Sequence, residues 1–334
     1  MSRQRVLSGI QPTGAGKHLG NYLGAVRHWA AMQDENECFY FLADLHALNT
    51  SPDPAVLRDG TRRTAAELLA MGVDPERSTL FAQSHVAEHT ELGWVLGCLT
   101  GYGEASRMTQ FKDKSASRSG NGVNVGLFTY PVLQAADILL YQANAVPVGE
   151  DQRQHLELTR DLAQRFNHRY GDTFVVPGPY TQQAGERIKD LQDPTSKMST
   201  SRGGAGTLWV VDEPKVVVKK VKSAVTDTGR EVRAGDDKPG ITNLLTILSV
   251  ATGKAVPELE AAYDGKGYGD FKADVADAVV ELFAPTRERY AELMADPAQV
   301  DAVLRAGAER AREVAASTMA LVRERIGLLL PTGG

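Results

Sequence analysis

Apolar and polar residues along the first half of the chain follow a pattern that predicts strands separated by helices. Short apolar runs lie at residues 6–7, 38–43 and 79–82, and apolar residues with helical spacing lie between them at 22–32 and 54–71. Continuous apolar runs are typical of parallel strands that are buried on both faces. The alternation therefore predicts an α/β domain in which helices cover both faces of a parallel sheet.

The second half of the chain has a helical pattern. From residue 212 onward the predicted elements are amphipathic helices, among them 241–250, 271–283 and 298–326. A chain of 334 residues is long enough for two units. We expect an α/β domain at residues 1–190 and a smaller all-α domain within residues 191–334, with the last helix packing back on the first domain.

Composition and charge are those of an ordinary soluble protein. Hydrophobic residues make up 42% of the chain, and no apolar run reaches the roughly 18 residues of a membrane span. The N-terminus leads into a strand without the apolar core of a signal peptide, so we expect a cytoplasmic protein with no membrane partner. The net charge of -5 argues against a general nucleic-acid binder, although a local basic patch can still bind RNA.

Several residues are expected to be buried. Cys38 in a predicted strand and Cys98 in a predicted helix lack the spacing of a zinc or redox motif, and small buried side chains are the simplest interpretation. The helix that contains Cys98 is also predicted to bury Trp94, Leu96 and Leu99. No metal site of protein ligands is expected.

Residues 6–24 form the segment around which the site is expected to assemble. A β-prone run is followed by a turn that contains Pro12, Gly14 and Gly16, and a helix begins near Asn21. Main-chain N–H groups at a helix N-terminus attract phosphate, and glycines let a ligand approach the main chain closely. The segment therefore predicts a nucleotide site.

Two common nucleotide motifs do not fit this segment. A P-loop requires a glycine where the chain has Gln11 and a hydroxyl residue after the lysine, where the chain has His18. A dinucleotide fingerprint beginning at Gly14 requires its third glycine where the chain has Leu19. If residues 6–24 bind a nucleotide, they must do so with a motif other than these two.

The segment resembles a signature of class I aminoacyl-tRNA synthetases. His-Leu-Gly-Asn at residues 18–21 is similar to their His-Ile-Gly-His motif, in the form found in tryptophanyl-tRNA synthetases. Taken alone, the match is equally a glycine-rich turn with a capping asparagine. Lys-Met-Ser-Thr-Ser at residues 197–201 resembles the second signature, Lys-Met-Ser-Lys-Ser, and the two occur in the family's order. The resemblance extends from Ser8 to Gly269.

Asp137 and His46 are candidates for a ligand pocket. Asp137 lies inside an apolar helical run, where a carboxylate is costly unless it is paired or hydrogen-bonded. It is either a helix cap or ion pair, or an acceptor for a ligand donor; an indole N–H is such a donor, and a carboxylate accepts it best. His46 follows the predicted strand 38–43, at the end where parallel sheets bind ligands. The alternative for His46 is a solvent-facing loop position.

The resemblance implies which residues bind tryptophan. Tyr130 and Gln152 would hold its α-amino group and Asp137 its indole nitrogen, while His46 and Gln134 would complete the pocket. Gln134 stands where some bacterial members carry Met, which affects the shape of the pocket and not the class of substrate. The resemblance further implies a Rossmann catalytic domain, a small helical domain with an anticodon-reading surface, and an obligate homodimer.

The resemblance also implies the reaction and the ATP site. The tryptophan carboxylate attacks the α-phosphorus of ATP, with Mg²⁺ bound through the phosphates, and the aminoacyl group then passes to tRNA(Trp). Such a reaction depends on positioning and charge stabilisation and needs no covalent enzyme nucleophile. The residues implied in catalysis are His18, Asn21, Lys114, Lys197 and Ser199, and those implied in ATP binding are Gln11, Pro12, Thr13, Gly20, Asn21, Gly149, Glu150, Asp151, Ile188, Lys197, Met198, Ser199, Thr200 and Ser201.

Three of these ATP-site residues have a chemical rationale or depart from the family pattern. Asp151 can accept hydrogen bonds from ribose hydroxyls, and Ile188 fits an apolar contact to a base, which the family places against adenine. Thr200 stands where the family usually has a second lysine, so one phosphate-binding charge is lost.

Two alternatives to a tryptophan enzyme remain open at this stage. A tyrosyl enzyme shares fold and chemistry, although its recognition segments differ from residues 129–152. A non-catalytic or auxiliary paralogue is also compatible with the Thr200 departure. Lys215, Lys219 and Lys222 form a stripe on one predicted helix, which is either a solvated face or a local basic patch for tRNA.

Overall fold

The computed structural model describes residues 3–12, 16–108, 124–149, 152–180, 188–200 and 203–329. Among these residues, five strands form one sheet in the order β3-β2-β1-β4-β5, and all neighbouring pairs are parallel. This is the order of a doubly wound sheet, so the predicted α/β class with a parallel, Rossmann-like sheet is confirmed. The strands are β1 (Arg5–Ile10), β2 (Glu37–Leu42), β3 (Ser78–Ala82), β4 (Ala145–Val146) and β5 (Gly178–Pro179).

Helices lie on both sides of this sheet. The first, α1, runs without a break through Leu19–Asn21, a π-helical turn at Tyr22–Val26, and Arg27–Met32. Within the described residues of the first half, the other α-helices are α2 (Asp44–Ala47), α3 (Pro54–Ala70), α4 (Glu88–Gly97), α5 (Tyr102–Ser106), α6 (Val125–Leu140) and α7 (Arg153–Tyr170). The second half contains α8 (Pro214–Lys222), α9 (Pro239–Thr252), α10 (Val256–Ala262), α11 (Tyr268–Leu282), α12 (Ala284–Ala295) and α13 (Pro297–Arg325).

Successive side chains of a strand point to opposite faces of the sheet, and this alternation builds two cores. Val6 and Tyr40 lie in the core that contains α1, α3 and the helices α8 to α11. Leu7 and Phe41 lie in the core that contains α4, α6, α7 and most of α13. Both faces of the sheet are therefore covered by apolar packing, as the continuous apolar runs predict.

The last helix lies along the edge strand β3. Gly307 of α13 faces the main chain of Leu80, and a Cβ at position 307 would lie 1.8 Å from the Leu80 carbonyl oxygen. Only glycine allows so close an approach of helix and strand. Ion pairs fix α13 at its two ends: Arg62 Nε lies 2.9 Å from Asp301 Oδ1, and the Arg323 guanidinium contacts the Glu91 carboxylate.

Two of the predicted burials are wrong. Trp94 is 76% exposed and Cys98 is exposed, whereas Leu96 and Cys38 are buried as expected. Leu92 and Leu96 lie four residues apart on the inner side of α4, and a residue two positions from either points the other way. The exposed indole therefore lies on the outer surface of α4.

The C-terminal helices are joined to the segment that carries the second signature. Asn243 of α9 accepts a hydrogen bond from the Lys189 N–H (2.8 Å) and donates one to the Lys189 carbonyl (3.0 Å). Its amide thus fixes the main chain eight residues before Lys197. Within the described ranges, no helix combines the length and apolar character needed to cross a bilayer.

Candidate active site

The first signature begins helix α1. His18 is the N-cap residue, and its Nδ1 accepts a hydrogen bond from the Asn21 N–H (3.3 Å). Asn21 Oδ1 in turn accepts one from the His18 N–H (3.1 Å). This reciprocal capping satisfies two main-chain donors at the helix start. Because Nδ1 is an acceptor, the ring proton of His18 is on Nε2, and Nε2–H is the donor that the ring can offer to a ligand.

A short antiparallel pairing holds this turn against a distant part of the chain. The Leu19 N–H donates to the Leu208 carbonyl (2.8 Å), and the Val210 N–H donates to the Lys17 carbonyl (2.9 Å). The rings of His18 and Trp209 meet edge to face, with centroids 6.1 Å apart. The strand-like segment around Trp209 follows the second signature, so the pairing brings the two signatures together.

The second signature lies on the return side of a tight hairpin. The Met198 N–H donates to the Ile188 carbonyl (3.1 Å), and the Asp190 N–H donates to the Ser196 carbonyl (3.0 Å). Ile188 and Met198 are both buried. The hairpin leaves Lys197 between two fixed main-chain positions, and Thr207 Oγ1 donates to the carbonyl of Ser199 (3.4 Å).

His18 is neutral at physiological pH. Burial, together with the positive charges of Lys197 and Lys17, lowers its pKa to about 4. Lys197 acts electrostatically on His18, so the two signatures face one another across the same site. A neutral imidazole between two cations can donate a hydrogen bond to a phosphate without carrying charge itself.

Asp137 of α6 is fully buried and is hydrogen-bonded on both oxygens. Gln83 Nε2 and His89 Nδ1 each donate to Oδ1 at 2.7 Å, and His46 Nε2 donates to Oδ2 at 2.8 Å. His89 Nε2 accepts from the Tyr141 hydroxyl at 2.8 Å, which fixes its tautomer. Burial acts to raise the pKa of Asp137, but the hydrogen bonds from His46 and His89 outweigh it and lower the pKa to about 2. The carboxylate is therefore ionised.

A second chain of hydrogen bonds lies close by. The Tyr130 hydroxyl donates to His155 Nε2 (3.1 Å), and His155 Nδ1 donates to Gln152 Oε1 (2.7 Å). The ring of His46 meets the Tyr130 ring edge to face at 6.2 Å, which joins this chain to the surroundings of Asp137. The oxygens of Tyr130 and Gln152 are thereby held in fixed positions.

Of these groups, Asp137, His46, Tyr130 and Gln152 line one cavity of about 320 Å³ at the carboxyl ends of β1, β2 and β4. Its apolar wall includes Leu7, Phe41, Ile138, Val146 and Val148. The predicted site residues that line it are Gln11, His46, Tyr130, Gln134, Asp137, Gly149 and Gln152. An apolar slot with a carboxylate at one wall and fixed oxygen acceptors at another suits a flat amphipathic molecule that carries N–H donors.

Other predicted residues lie elsewhere or outside the described ranges. Pro12 is buried near the glycine-rich turn, and Gly20 and Thr200 lie in the two signatures. Thr13, Lys114, Glu150, Asp151 and Ser201 lie outside the described residues.

Sequence reasoning missed three polar residues of the cavity surroundings. Gln83 directly follows β3, so it carried the same positional signal as His46. His89 and His155 lie inside helices. Their one signal in the sequence is that a polar residue stands at a helix position that faces the core. Their role depends on contacts with α6 that have no trace in local sequence.

Comparison with protein-family models places most of the chain in a known family. A family described as tRNA synthetases class I (W and Y) matches residues 1–284. A protein of Streptomyces avermitilis called tryptophan–tRNA ligase 2 is 59% identical over 329 residues, which cover 98% of each chain. A tryptophan–tRNA ligase of Leifsonia xyli is 54% identical over 332 residues, again covering 98% of each chain.

Solved structures give the same result. A tryptophanyl-tRNA synthetase from Campylobacter jejuni, crystallised in complex with ADP and tryptophan, superposes with a TM-score of 0.86 and is 35% identical over 97% of this chain and 100% of that one. The tryptophanyl-tRNA synthetase from Mycoplasma pneumoniae has a TM-score of 0.85 and 39% identity, with 98% of each chain covered.

The ionised state of Asp137 makes its contribution to stability dependent on pH. Its pKa is lowered in the folded protein from 3.8 to about 2, so the stabilisation is present above the unfolded value and is lost as the pH falls between the two. We expect Asp137→Asn to lower the free energy of unfolding by about 2 kcal/mol at neutral pH, because one pKa unit corresponds to about 1.4 kcal/mol.

Urea unfolding of wild type and variant measures this difference. We expect the difference in the free energy of unfolding between the two proteins to become smaller as the pH is lowered from about 5 to about 3. Asp264→Asn, at an exposed position, is the control and should follow the wild type. A difference that is independent of pH would contradict the charged state of Asp137.

Proposed function

The chain belongs to the class I tRNA synthetases of the tryptophan and tyrosine type, and on that premise we propose that it is a tryptophan–tRNA ligase. It activates L-tryptophan with ATP to tryptophanyl-adenylate and pyrophosphate, and then transfers the tryptophanyl group to tRNA(Trp). The observation that carries the proposal is the cavity of about 320 Å³ with an ionised, buried carboxylate in its wall. The full-length identity to proteins called tryptophan–tRNA ligases supports the same conclusion.

We assign the indole ring to the Asp137 side of the cavity. Among the described residues, Asp137 Oδ2 accepts from His46 alone, whereas Oδ1 accepts from two donors. A carboxylate has about four acceptor positions, so an indole N–H can add a bond at Oδ2. The fixed donors hold the carboxylate in place and keep it ionised, and Phe41 and Ile138 provide apolar walls for the ring. A site that depends on such a bond rejects analogues that leave it unmade.

We assign the amino group of tryptophan to Tyr130 and Gln152. The Tyr130 hydroxyl donates its proton to His155, and Gln152 Oε1 accepts from the same histidine, so both oxygens are oriented as acceptors. Two oxygen acceptors suit an ammonium group, which is donor only. Gln134 lines the same cavity and completes the pocket.

We assign ATP to the space between the two signatures. Gln11, Gly20 and Asn21 belong to the first signature segment and the helix start, where main-chain donors favour phosphate. Ile188 and Met198 form the buried side of the hairpin on which Lys197, Ser199 and Thr200 lie. Thr13, Glu150, Asp151, Ser201 and Lys114 remain assigned by resemblance alone. Mg²⁺ enters with the phosphates of ATP, and the described residues contain no cluster of three metal-ligating side chains.

The chemistry follows from these positions. The carboxylate oxygen of tryptophan attacks the α-phosphorus, the bond to the pyrophosphate oxygen breaks, and the electron pair leaves with pyrophosphate. His18 Nε2–H donates to the phosphate oxygens, and the Lys197 ammonium balances the negative charge that builds up on them. Neither group forms a covalent bond to the substrate. The enzyme accelerates the reaction by holding the carboxylate in line with the α-phosphorus.

Amino-acid-dependent exchange of pyrophosphate into ATP tests the proposed function directly. We expect tryptophan to support exchange at least about 10⁴-fold better than tyrosine, the scale of discrimination by a buried polar contact. Charging of tRNA(Trp) transcript should follow with tryptophan. Exchange with tyrosine alone would identify a tyrosyl enzyme, and tight tryptophan binding without exchange would identify a non-catalytic paralogue.

Lys197 is expected to act mainly on the transition state. Lys197→Ala should lower the rate of tryptophan-dependent exchange about 10²–10³-fold, the effect of removing one transition-state donor. Lys215→Ala removes an exposed lysine that pairs with Glu213 on α8, and the exchange rate should not change, because exchange needs no tRNA. Equal rates for Lys197→Ala and wild type would contradict the role of Lys197.

We propose further that the chain forms a homodimer through the outer surface of α4, α5 and the start of α6. Trp94, Tyr102 and Val125 are 76%, 81% and 77% exposed, and they belong to these three elements. The Tyr102 ring packs against Phe128 with centroids 5.6 Å apart, so the surfaces of α5 and α6 adjoin. An exposed apolar patch of this kind is typical of a protein interface. tRNA is assigned to the lysine stripe of α8, Lys215, Lys219 and Lys222.

A charge within this patch is expected to separate the subunits. Trp94→Lys should convert the dimer to monomers at micromolar concentration, because a desolvated unpaired ammonium is costly at an interface. Analytical ultracentrifugation measures the change. Val56→Lys, at an exposed apolar position of α3, should stay dimeric. A wild-type monomer would contradict the assignment of this surface.

A further inference from the structure

A buried acid lies beneath Gly16, at the end of the glycine-rich segment. Glu67 of α3 is fully buried, and no side chain of the described residues donates a hydrogen bond to its carboxylate oxygens. It faces Gly16, whose φ is +83°, and a Cβ at position 16 would lie 2.7 Å from Glu67 Oε1. A glycine at this turn therefore lets the segment approach the acid closely. A buried carboxylate that no side chain hydrogen-bonds requires an explanation, because its burial is costly.

The neighbouring cation is Lys17, which is also buried. Its Nζ donates to the Gln11 carbonyl at 3.0 Å, and its own carbonyl accepts from the Val210 N–H. The bond from Lys17 to Gln11 connects the two ends of the glycine-rich segment, residues 11 and 17. The bond from Val210 joins Lys17 to the strand-like segment around Trp209, which lies beside His18. With an exposed fraction of only 3%, Lys17 is not a surface lysine. Burial disfavours the charged form of a lysine, so the Lys17 ammonium persists only if a nearby negative charge offsets this effect.

Glu67 supplies that offset. Burial lowers the pKa of Lys17 to about 8, and the charge of Glu67 acts in the opposite direction and keeps it from falling further. Burial raises the pKa of Glu67 to about 7, against the charges of Lys17 and of Arg63, one turn earlier on α3. His18, next to Lys17, is neutral in this range. The acid and the lysine are thus both charged only near neutral pH.

We propose that Glu67 is a positioning residue for ATP binding: it keeps Lys17 charged, and Lys17 holds the two ends of the glycine-rich segment together beside His18. The inference rests on the proposed function and adds residues to which neither signature assigns a role. Lys17 is too deeply buried to be a surface phosphate ligand, so its effect on ATP is exerted through Gln11 and through its charge. Glu67 touches neither signature directly and acts through Lys17.

Replacement of Glu67 is expected to lower the pKa of Lys17, because the charge of Glu67 raises it. When Glu67 becomes Gln, the charge that raises the pKa of Lys17 is lost, so the lysine loses its proton at a lower pH than in the wild type. Between about pH 7 and about pH 8 a larger fraction of Lys17 is therefore neutral in the variant than in the wild type. At about pH 6 Glu67 is protonated in the wild type and Lys17 is charged in both proteins, so the two should behave alike.

The test is the KM for ATP of Glu67→Gln as a function of pH. In tryptophan-dependent exchange, we expect its KM for ATP to equal that of the wild type at about pH 6 and to be about threefold to tenfold higher at about pH 8. The KM for tryptophan should not change. Gln has the shape of the neutral acid, and the variant should fold, with a thermal midpoint no lower than that of the wild type.

Two further variants separate positioning from a general disturbance of α3. Thr64→Val changes a fully buried side chain one turn from Glu67, whose hydroxyl also has no hydrogen-bond partner, and it should follow the wild type at both pH values. Lys17→Met should raise the KM for ATP at both pH values, because no pH restores its charge. A matching change in Thr64→Val, or a Glu67→Gln defect that is equal at both pH values, would overturn the proposal.

Calorimetric binding of ATP without tryptophan keeps this test separate from the proposed function. Weaker ATP binding by Glu67→Gln at about pH 8, restored at about pH 6, supports the positioning role whether or not exchange occurs. Identical binding by the two proteins at both pH values overturns it. Absence of tryptophan-dependent exchange in the wild type would instead contradict the proposed function.

Discussion

The site depends on a few main-chain hydrogen bonds that join segments nearly two hundred residues apart in the chain. The turn at residues 17–19 pairs with residues 208–210 through N–H···O distances of 2.8 and 2.9 Å. Without this pairing, the helix start that carries His18 and the hairpin that carries Lys197 would belong to separate parts of the molecule. Because these bonds join main-chain groups, the distance that they fix between the signatures does not depend on side-chain conformation. The charges around a neutral His18 are set by the same arrangement.

The cavity is built from polar groups that are expensive to bury. Asp137 remains ionised inside the protein only because Gln83, His46 and His89 donate to it, and Tyr141 in turn fixes His89. A network of this kind restricts each member to one orientation, so a ligand meets acceptors that need no rearrangement. Glu67 shows the opposite case, since burial raises the pKa of its carboxylate and the charges of Lys17 and Arg63 offset this only in part. The two acids differ in pKa because the donors to Asp137 outweigh the effect of burial, whereas the groups around Glu67 do not.

Much of the fold was predictable from the chain because its signals are local. The continuous apolar run at 38–43 indicated a buried parallel strand, and β2 spans Glu37–Leu42. The helix predicted at 298–326 is Pro297–Arg325, since its apolar residues recur at steps of three and four. The placement of candidate side chains at strand ends followed from the general geometry of parallel sheets, which is why His46 was foreseen as a pocket residue. Trp94 was misjudged because the prediction grouped it with Leu96 and Leu99, although residues two positions apart in a helix point to opposite sides.

By itself, then, the sequence determined the α/β class, the positions of its helices and strands, and the residues that resemble two signatures of one enzyme family. Only the tertiary structure decided that Asp137 is held by Gln83 and His89, that Tyr130 and Gln152 share His155, and that Glu67 lies beneath Gly16. These contacts join residues far apart in the chain, and their energies depend on burial and on distance between charges. A local sequence pattern determines neither the burial of a side chain nor the distance between two charges, because both are set when the helices pack on the sheet.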